Sequence, residues 1–278
     1  MTRPPVRGCP LPLTQFHRRT SAAWAKCHST ANSLVWHTGS MTVTRHVPAA
    51  RRPIGAFQFS LLAAATGLIA AGAAAFCIDL PVAEWFKAHR VPGEIGRLVN
   101  LLEISGHSLG AAVVLIAVVT LDRTLRFPIP GRFGAGEQAF TKMIAATYLG
   151  GLLADVIKVS VERVRPRAAD LASVASWLGT FGDGSLAVDK PHLNDLMSFP
   201  SGHSAVAAGL AAALAWRYPH GWVLFALLAG ATAIQRVVTS AHYPSDVACG
   251  AAVGLIGAAC CLGGQRVVRR PLAPETVA

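Results

Sequence analysis

The first 78 positions contain no aspartate or glutamate, and the chain as a whole is short of charge. Only 14% of its 278 residues are Asp, Glu, Lys or Arg, against roughly 25% in an ordinary soluble domain. With 53% hydrophobic residues and a mean hydropathy of +0.45, a soluble fold would have to hide a surplus of apolar surface. A bilayer is the simpler place for it. Pattern is also lacking among the cysteines: of Cys9, Cys27, Cys77, Cys249, Cys260 and Cys261, four lie in apolar stretches and two are adjacent. That excludes a legible disulfide framework, and Cys27–His28 has no zinc spacing. The few carboxylates do not cluster, so no site for a hard cation is legible.

What charge there is falls unevenly. The net charge is +11, and Arg3, Arg7, Arg18, Arg19, Lys26, Arg45, Arg51 and Arg52 precede the first acidic residue, Asp79. A basic terminus fits nucleic acid, an import signal or a cytoplasmic membrane flank. Beside an apolar run the third reading is favoured, and no nucleic-acid partner is expected. Residues 1–52 show no sustained apolar period and read as a disordered basic tail, with Met41 an alternative start. Residues 53–265 form the membrane domain, and 266–278 a basic C-terminal tail.

Six apolar segments follow. Phe57 to Ile78 is uncharged over 22 residues, enough to cross ~30 Å of hydrocarbon at ~1.5 Å per residue. The others are Leu98 to Leu121, Met143 to Ser160, Ser204 to Trp216, Trp222 to Val238 and Val247 to Leu262. The fourth is short for a span, so its ends are expected against protein. Lys and Arg concentrate at both flanks (Arg266, Arg269 and Arg270 at the end) and in the loop with Arg123, Arg126, Arg132 and Lys142. This predicts both termini in the cytoplasm, with an even number of crossings.

Three polar clusters interrupt the apolar pattern. One runs from Lys158 through Arg165 and Pro166. The second is Pro200-Ser201-Gly202-His203-Ser204. The third holds Arg236, His242 and Asp246. Six alternating crossings bring all three to one membrane face, the outer one. Lys158, Arg165 and Arg236 supply cations for an anion. Ser201 and Gly202 precede a helix whose free N–H groups cradle anions. His242 and Asp246 are four apart, so in a helix they would share a face, and a carboxylate on one imidazole nitrogen leaves the other lone pair free. His203 is then available for proton transfer. Taken singly, each feature has a plain reading as a snorkelling anchor, a helix cap or a surface ion pair. Their joint placement on one face points to a bound anion.

These clusters resemble the signature of the phosphatidic acid phosphatase type 2 superfamily: Lys, six residues, Arg-Pro; then Pro-Ser-Gly-His; then Ser-Arg, five residues, His, three residues, Asp. Gln235 stands where that pattern usually has Ser. The resemblance implies an all-α, six-helix integral membrane bundle of the haloperoxidase-like kind, acting on a lipid phosphate through a phosphohistidine without a metal or other cofactor. By carry-over, Lys158, Arg165, Ser201, Gly202 and Arg236 would bind phosphate; His203 would be the general acid, His242 the nucleophile and Asp246 its partner. Phosphatidic acid, phosphatidylglycerol phosphate and polyprenyl phosphates or diphosphates are the implied substrates, in a bacterial inner membrane. A phosphotransferase using the same intermediate, or a non-catalytic phospholipid-binding or transport module, are the alternatives. A homo-oligomer is left open. The connection 167–199 carries Leu171, Val174, Trp177, Leu178 and Phe181 at helix-like spacing, which reads either as an interfacial helix gating lipid entry or as a lid.

Overall fold

A computed structural model describes residues 33–37, 40–44, 55–89, 93–101, 106–125, 134–182 and 193–263. The chain divides into two units, Met1–Arg52 and Pro53–Ala278. In the first, β1 (Ser33–His37) pairs antiparallel with β2 (Ser40–Thr44), Trp36 opposite Met41, where the sequence suggested no fold. The remainder of the expected N-terminal tail, the C-terminal tail, and Arg90, Arg126 and Arg132 lie outside the described residues.

The named elements of the second unit's described residues are helices, the longer ones being α1 (Ala56–Ala75), α2 (Asp79–Ala88), α3 (Gly93–Leu101), α4 (Ser108–Leu121), α5 (Ala135–Ser160), α6 (Gly202–Arg217), α7 (Trp222–Val238) and α8 (Pro244–Cys261); Arg163 adds isolated bridges to Phe181 and Met197. Among the described residues, four stretches are long and apolar enough to cross a membrane: α1, α5, Pro219–Val238 and α8; α4 is a shorter apolar helix. Their outer faces stay apolar. On α7, Trp222, Leu224, Leu227 and Ile234 are exposed, and on α5, Leu152, Val156 and Val159. A contiguous apolar surface of this kind belongs against lipid, and the protein is a membrane protein.

The shortness of the fourth apolar segment has the expected explanation. Helix α6 has 16 residues, ten of them buried, and lies among α5, α7 and α8. Alanine and glycine let its neighbours close in, as small residues do where helices pack inside a bilayer. A Cβ on Gly250 would sit 2.2 Å from the Ser201 carbonyl oxygen, and one on Gly254 2.2 Å from that of Ala205. Gly250→Ala should therefore push α8 off the start of α6, costing ~1–3 kcal/mol as overpacking does. A thermal melt in detergent would read the loss, and an unchanged midpoint would contradict this packing.

Two expectations need correction. Leu98 to Leu121 is not one segment: α3 ends at Leu101 and α4 begins at Ser108. Gly106 lies in the break, where a Cβ would come within 2.9 Å of the His203 carbonyl oxygen. The apolar face read into 167–199 is not an α-helix either. Leu171–Ser173 and Trp177–Thr180 are separate single 3-10 turns. Leu171 is buried with Val164, Ala169 and Tyr243, Trp177 and Phe181 stack on Phe76, and Leu178 is exposed.

The helix ends separate into two levels. At one, Gln58 Nε2 donates to the Ala259 carbonyl (2.8 Å), Lys142 to that of Gly263 (3.0 Å), and Asp122 accepts from Arg217 and Tyr218. The end of α5, the start of α6 and the turn between α7 and α8 gather at the other.

Candidate active site

The third cluster owes its shape to a tight reversal after α7. Ser240 takes φ 53°, an uncommon left-handed conformation for a non-glycine residue, and the N–H groups of both Ala241 and His242 then reach the Arg236 carbonyl at 3.1 Å. Tyr243 caps α8 and Pro244 opens it, a position where proline's missing N–H costs nothing. Asp246, in the first turn, accepts from the Tyr243 N–H at 2.9 Å. His242 therefore precedes the helix, and the helical stacking expected of His242 and Asp246 does not occur.

Proximity is achieved another way. His242 is 2% exposed, and its Nδ1 lies 2.8 Å from the Ser198 carbonyl oxygen and 3.6 Å from Asp246 Oδ2. A carbonyl can only accept, so Nδ1 carries the proton and Nε2 keeps its lone pair. Ser198 also donates its hydroxyl to Asp246 Oδ2 at 2.6 Å. One serine thus ties histidine and carboxylate together, a role the sequence did not announce.

Behind Asp246 lies a second unforeseen element. Arg163 has a fully buried side chain and bonds Asp246 Oδ1, Asp79 (2.7 Å), the Ser245 hydroxyl (2.8 Å) and Thr180 Oγ1 (2.9 Å). Its guanidinium carbon lies 4.1 Å from the ring centroid of Tyr243 and 4.7 Å from that of Phe181, within cation–π range. Burial pushes the Asp79 carboxyl up, while Arg163 and Ser245 pull against it. Arg163 sits inside the first cluster and Asp79 is the first acid of the chain, but neither position signals a partner 84 residues away.

The predicted anion ligands meet at the same end. The Ser201 N–H donates to the Asp246 carbonyl at 3.0 Å, and the Ser201 hydroxyl caps α6. Lys158 Nζ lies where a Cβ on Gly202 would be only 2.9 Å away, so glycine makes room for the cation. Arg236 Nε donates to Gln235 Oε1 at 2.6 Å, so Gln235 holds an arginine. Arg165 Nε is buried with no hydrogen-bond partner among the described residues. Burial pushes the His242 pKa down; Asp246 opposes this, and the charges of Arg165 and Lys158 add to it.

His203 stands in the first turn of α6 and faces a cavity of about 430 Å³ lined by Gly106, His107, Tyr148, Asp155 and Gly202. The His107 and His203 rings meet edge to face, centroids 5.8 Å apart. A larger apolar cavity of about 730 Å³ runs between α1, α6, α7 and α8 and touches none of the predicted site residues.

Three clusters, two histidines and a set of cations stand at one end of a helical membrane bundle. Residues 139–267 match the PAP2 superfamily. The stretch contains all three clusters and α6 to α8 entire. Lipid A 1-phosphatase of Rhizobium johnstonii is 36% identical over 104 residues, 37% of this chain and 38% of that protein. Lipid A 1-phosphatase of Rhizobium etli is 33% identical over 119 residues, 43% of this chain and 45% of that one. The chain thus spans less than half the length of these relatives. Among solved structures, Aquifex aeolicus LpxE is similar with a TM-score of 0.47 at 21% identity, covering 66% of this chain and 94% of that one. The PAP2-type phosphatidylglycerolphosphate phosphatase of Bacillus subtilis gives 0.46 at 21%, covering 72% and 91%. Asp79 and His107 fall outside the PAP2 match, so the family pattern could not have supplied them.

Proposed function

We propose that this PAP2 protein is a metal-independent phosphatase acting on the phosphate or pyrophosphate ester of a membrane lipid through a phosphohistidine. His242 Nε2 attacks phosphorus in line, forming the N–P bond as the bond to the leaving oxygen breaks, and His203 gives that oxygen its proton. Lys158, Arg165, Arg236 and the Ser201–Gly202 backbone neutralise the phosphoryl oxygens. Water, losing its proton to His203, then displaces histidine from phosphorus and releases inorganic phosphate. The observation that carries this reading is the Nδ1 contact with the Ser198 carbonyl, which fixes the tautomer with Nε2 unprotonated. The buried, unpartnered Arg165 Nε supports it as a donor suited to a phosphate oxygen.

Candidate substrates are phosphatidic acid, phosphatidylglycerol phosphate, polyprenyl phosphates and diphosphates and, from the named relatives, lipid A 1-phosphate. In orientation, both termini are cytoplasmic and the site opens on the outer face of a bacterial inner membrane. A phosphate-release screen of purified protein in detergent with EDTA tests the activity. Turnover of at least one lipid is expected, with the acid limb of kcat/KM below pH 6.5, because burial holds His242 unprotonated past the usual histidine range. No release from any lipid, or release only after metal is restored, would refute the proposal.

A further inference from the structure

We propose that His107 is a specificity-determining residue that selects lipids with a free hydroxyl on the glycerol or sugar that bears the scissile oxygen. This rests on the phosphatase reading, because His203 is taken to protonate the leaving oxygen, and the cavity of about 430 Å³ that His203 faces is then where the leaving group goes.

The walls of that cavity carry a particular set of polar groups among apolar ones. His107 Nδ1 accepts the Leu109 N–H at 3.3 Å and caps α4. In the neutral ring the proton therefore sits on Nε2, which is a donor. Tyr148 donates its hydroxyl to the Ser108 carbonyl at 2.8 Å, which leaves its oxygen as an acceptor. Asp155, 3.3 Å from Lys158, adds a carboxylate with its side chain 68% exposed. Donor and acceptors around a space of this size match a glycerol or a sugar ring. A plain hydrocarbon alcohol would cover them without replacing their hydrogen bonds with water.

His107 is also fixed in place. At Gly106 a side chain would collide with Thr232 Cγ2 at 2.5 Å and with the His203 carbonyl oxygen. The α3–α4 break is therefore pressed against the catalytic turn, with the His107 ring edge to face on His203. Two variants separate this reading from a merely structural cap. His107→Asn keeps a side-chain oxygen that caps α4 but replaces the ring with a shorter amide whose N–H cannot reach as far as the imidazole Nε2, and His107→Phe keeps a ring with no donor.

The test is kcat/KM of the full chain in detergent on two substrate classes. Phosphatidylglycerol phosphate and lipid A 1-phosphate carry free hydroxyls on the leaving group; phosphatidic acid and undecaprenyl phosphate do not. The first two also separate glycerol from sugar as the preferred group. Wild type should favour at least one hydroxylated substrate. Both variants should lose about 10-fold or more on it and stay within about 2-fold on the plain lipids. Equal losses on both classes, or an unaffected His107→Asn, would overturn the assignment while leaving the phosphatase intact. A wild type that hydrolyses none of the four would remove the phosphatase reading, and this one with it.

Discussion

His242→Ala is expected to reduce phosphate release by at least ~1000-fold, about 4 kcal/mol of barrier at 1.36 kcal/mol per tenfold, with no lipid rescuing it. No other group among the described residues of the site is placed to stand in for it. His242 is the buried imidazole whose Nδ1 is committed to the Ser198 carbonyl. On the proposed pathway, removing the nucleophile removes the covalent step, and the remaining cations can only stabilise attack by water. Loss of the ring also leaves the Ser198 carbonyl without its donor, so His242→Gln is the companion variant. It restores an N–H but no nucleophile, and should be as inactive while folding better. His203→Ala should behave differently. With a leaving group that needs no proton, such as p-nitrophenolate, the first step survives while water activation does not. Labelled phosphate should then accumulate on the protein in an acid-labile, base-stable bond. Turnover retained in His242→Ala would end the phosphohistidine assignment.

The sequence set these two histidines apart by their neighbours, since His242 has Asp246 four residues on and His203 follows Pro200-Ser201-Gly202. The fold was legible for a similar reason. A stretch such as Phe57 to Ile78, without a charge, has few places to go other than a bilayer. Legibility failed where one residue mattered through contact alone. Gly106 lies inside the stretch Leu98 to Leu121, and only its close approach to His203 shows why no larger side chain fits there. Leu171 and Leu178 share a helical period on paper but go to opposite environments, one buried and one exposed, because they stand in two separate 3-10 turns and not on one helix. The His242–Asp246 spacing suggested a direct helical pair. The helix starts too late, and Ser198, 44 residues earlier, supplies the nearer acceptor. Local spacing reports local pairs, and long-range hydrogen bonds leave no periodic trace.

The strongest case of that silence carries the second large prediction. Arg163→Met should destabilise the protein by ~3–5 kcal/mol, the range for removing one partner of a buried ion pair, and reduce turnover by more than ~100-fold in whatever remains folded. Arg163 lies between Asp79 and Asp246, all three side chains fully buried. Methionine fills much of the volume but leaves two carboxylates buried with no cation. Lysine should not rescue, since one ammonium cannot imitate a planar fork that serves Asp79, Asp246, Ser245 and Thr180 at once. The double variant Arg163→Met/Asp79→Asn should recover part of the stability by removing one orphaned charge. It should recover little activity, because Asp246 still lacks the arginine that holds it against Ser198 and His242. That split is the diagnostic: stability follows the charge balance of the cluster, and catalysis follows the position of Asp246. An Arg163→Met protein that melts like wild type and releases phosphate at the wild-type rate would mean that the buried arginine neither holds the fold nor aligns the site.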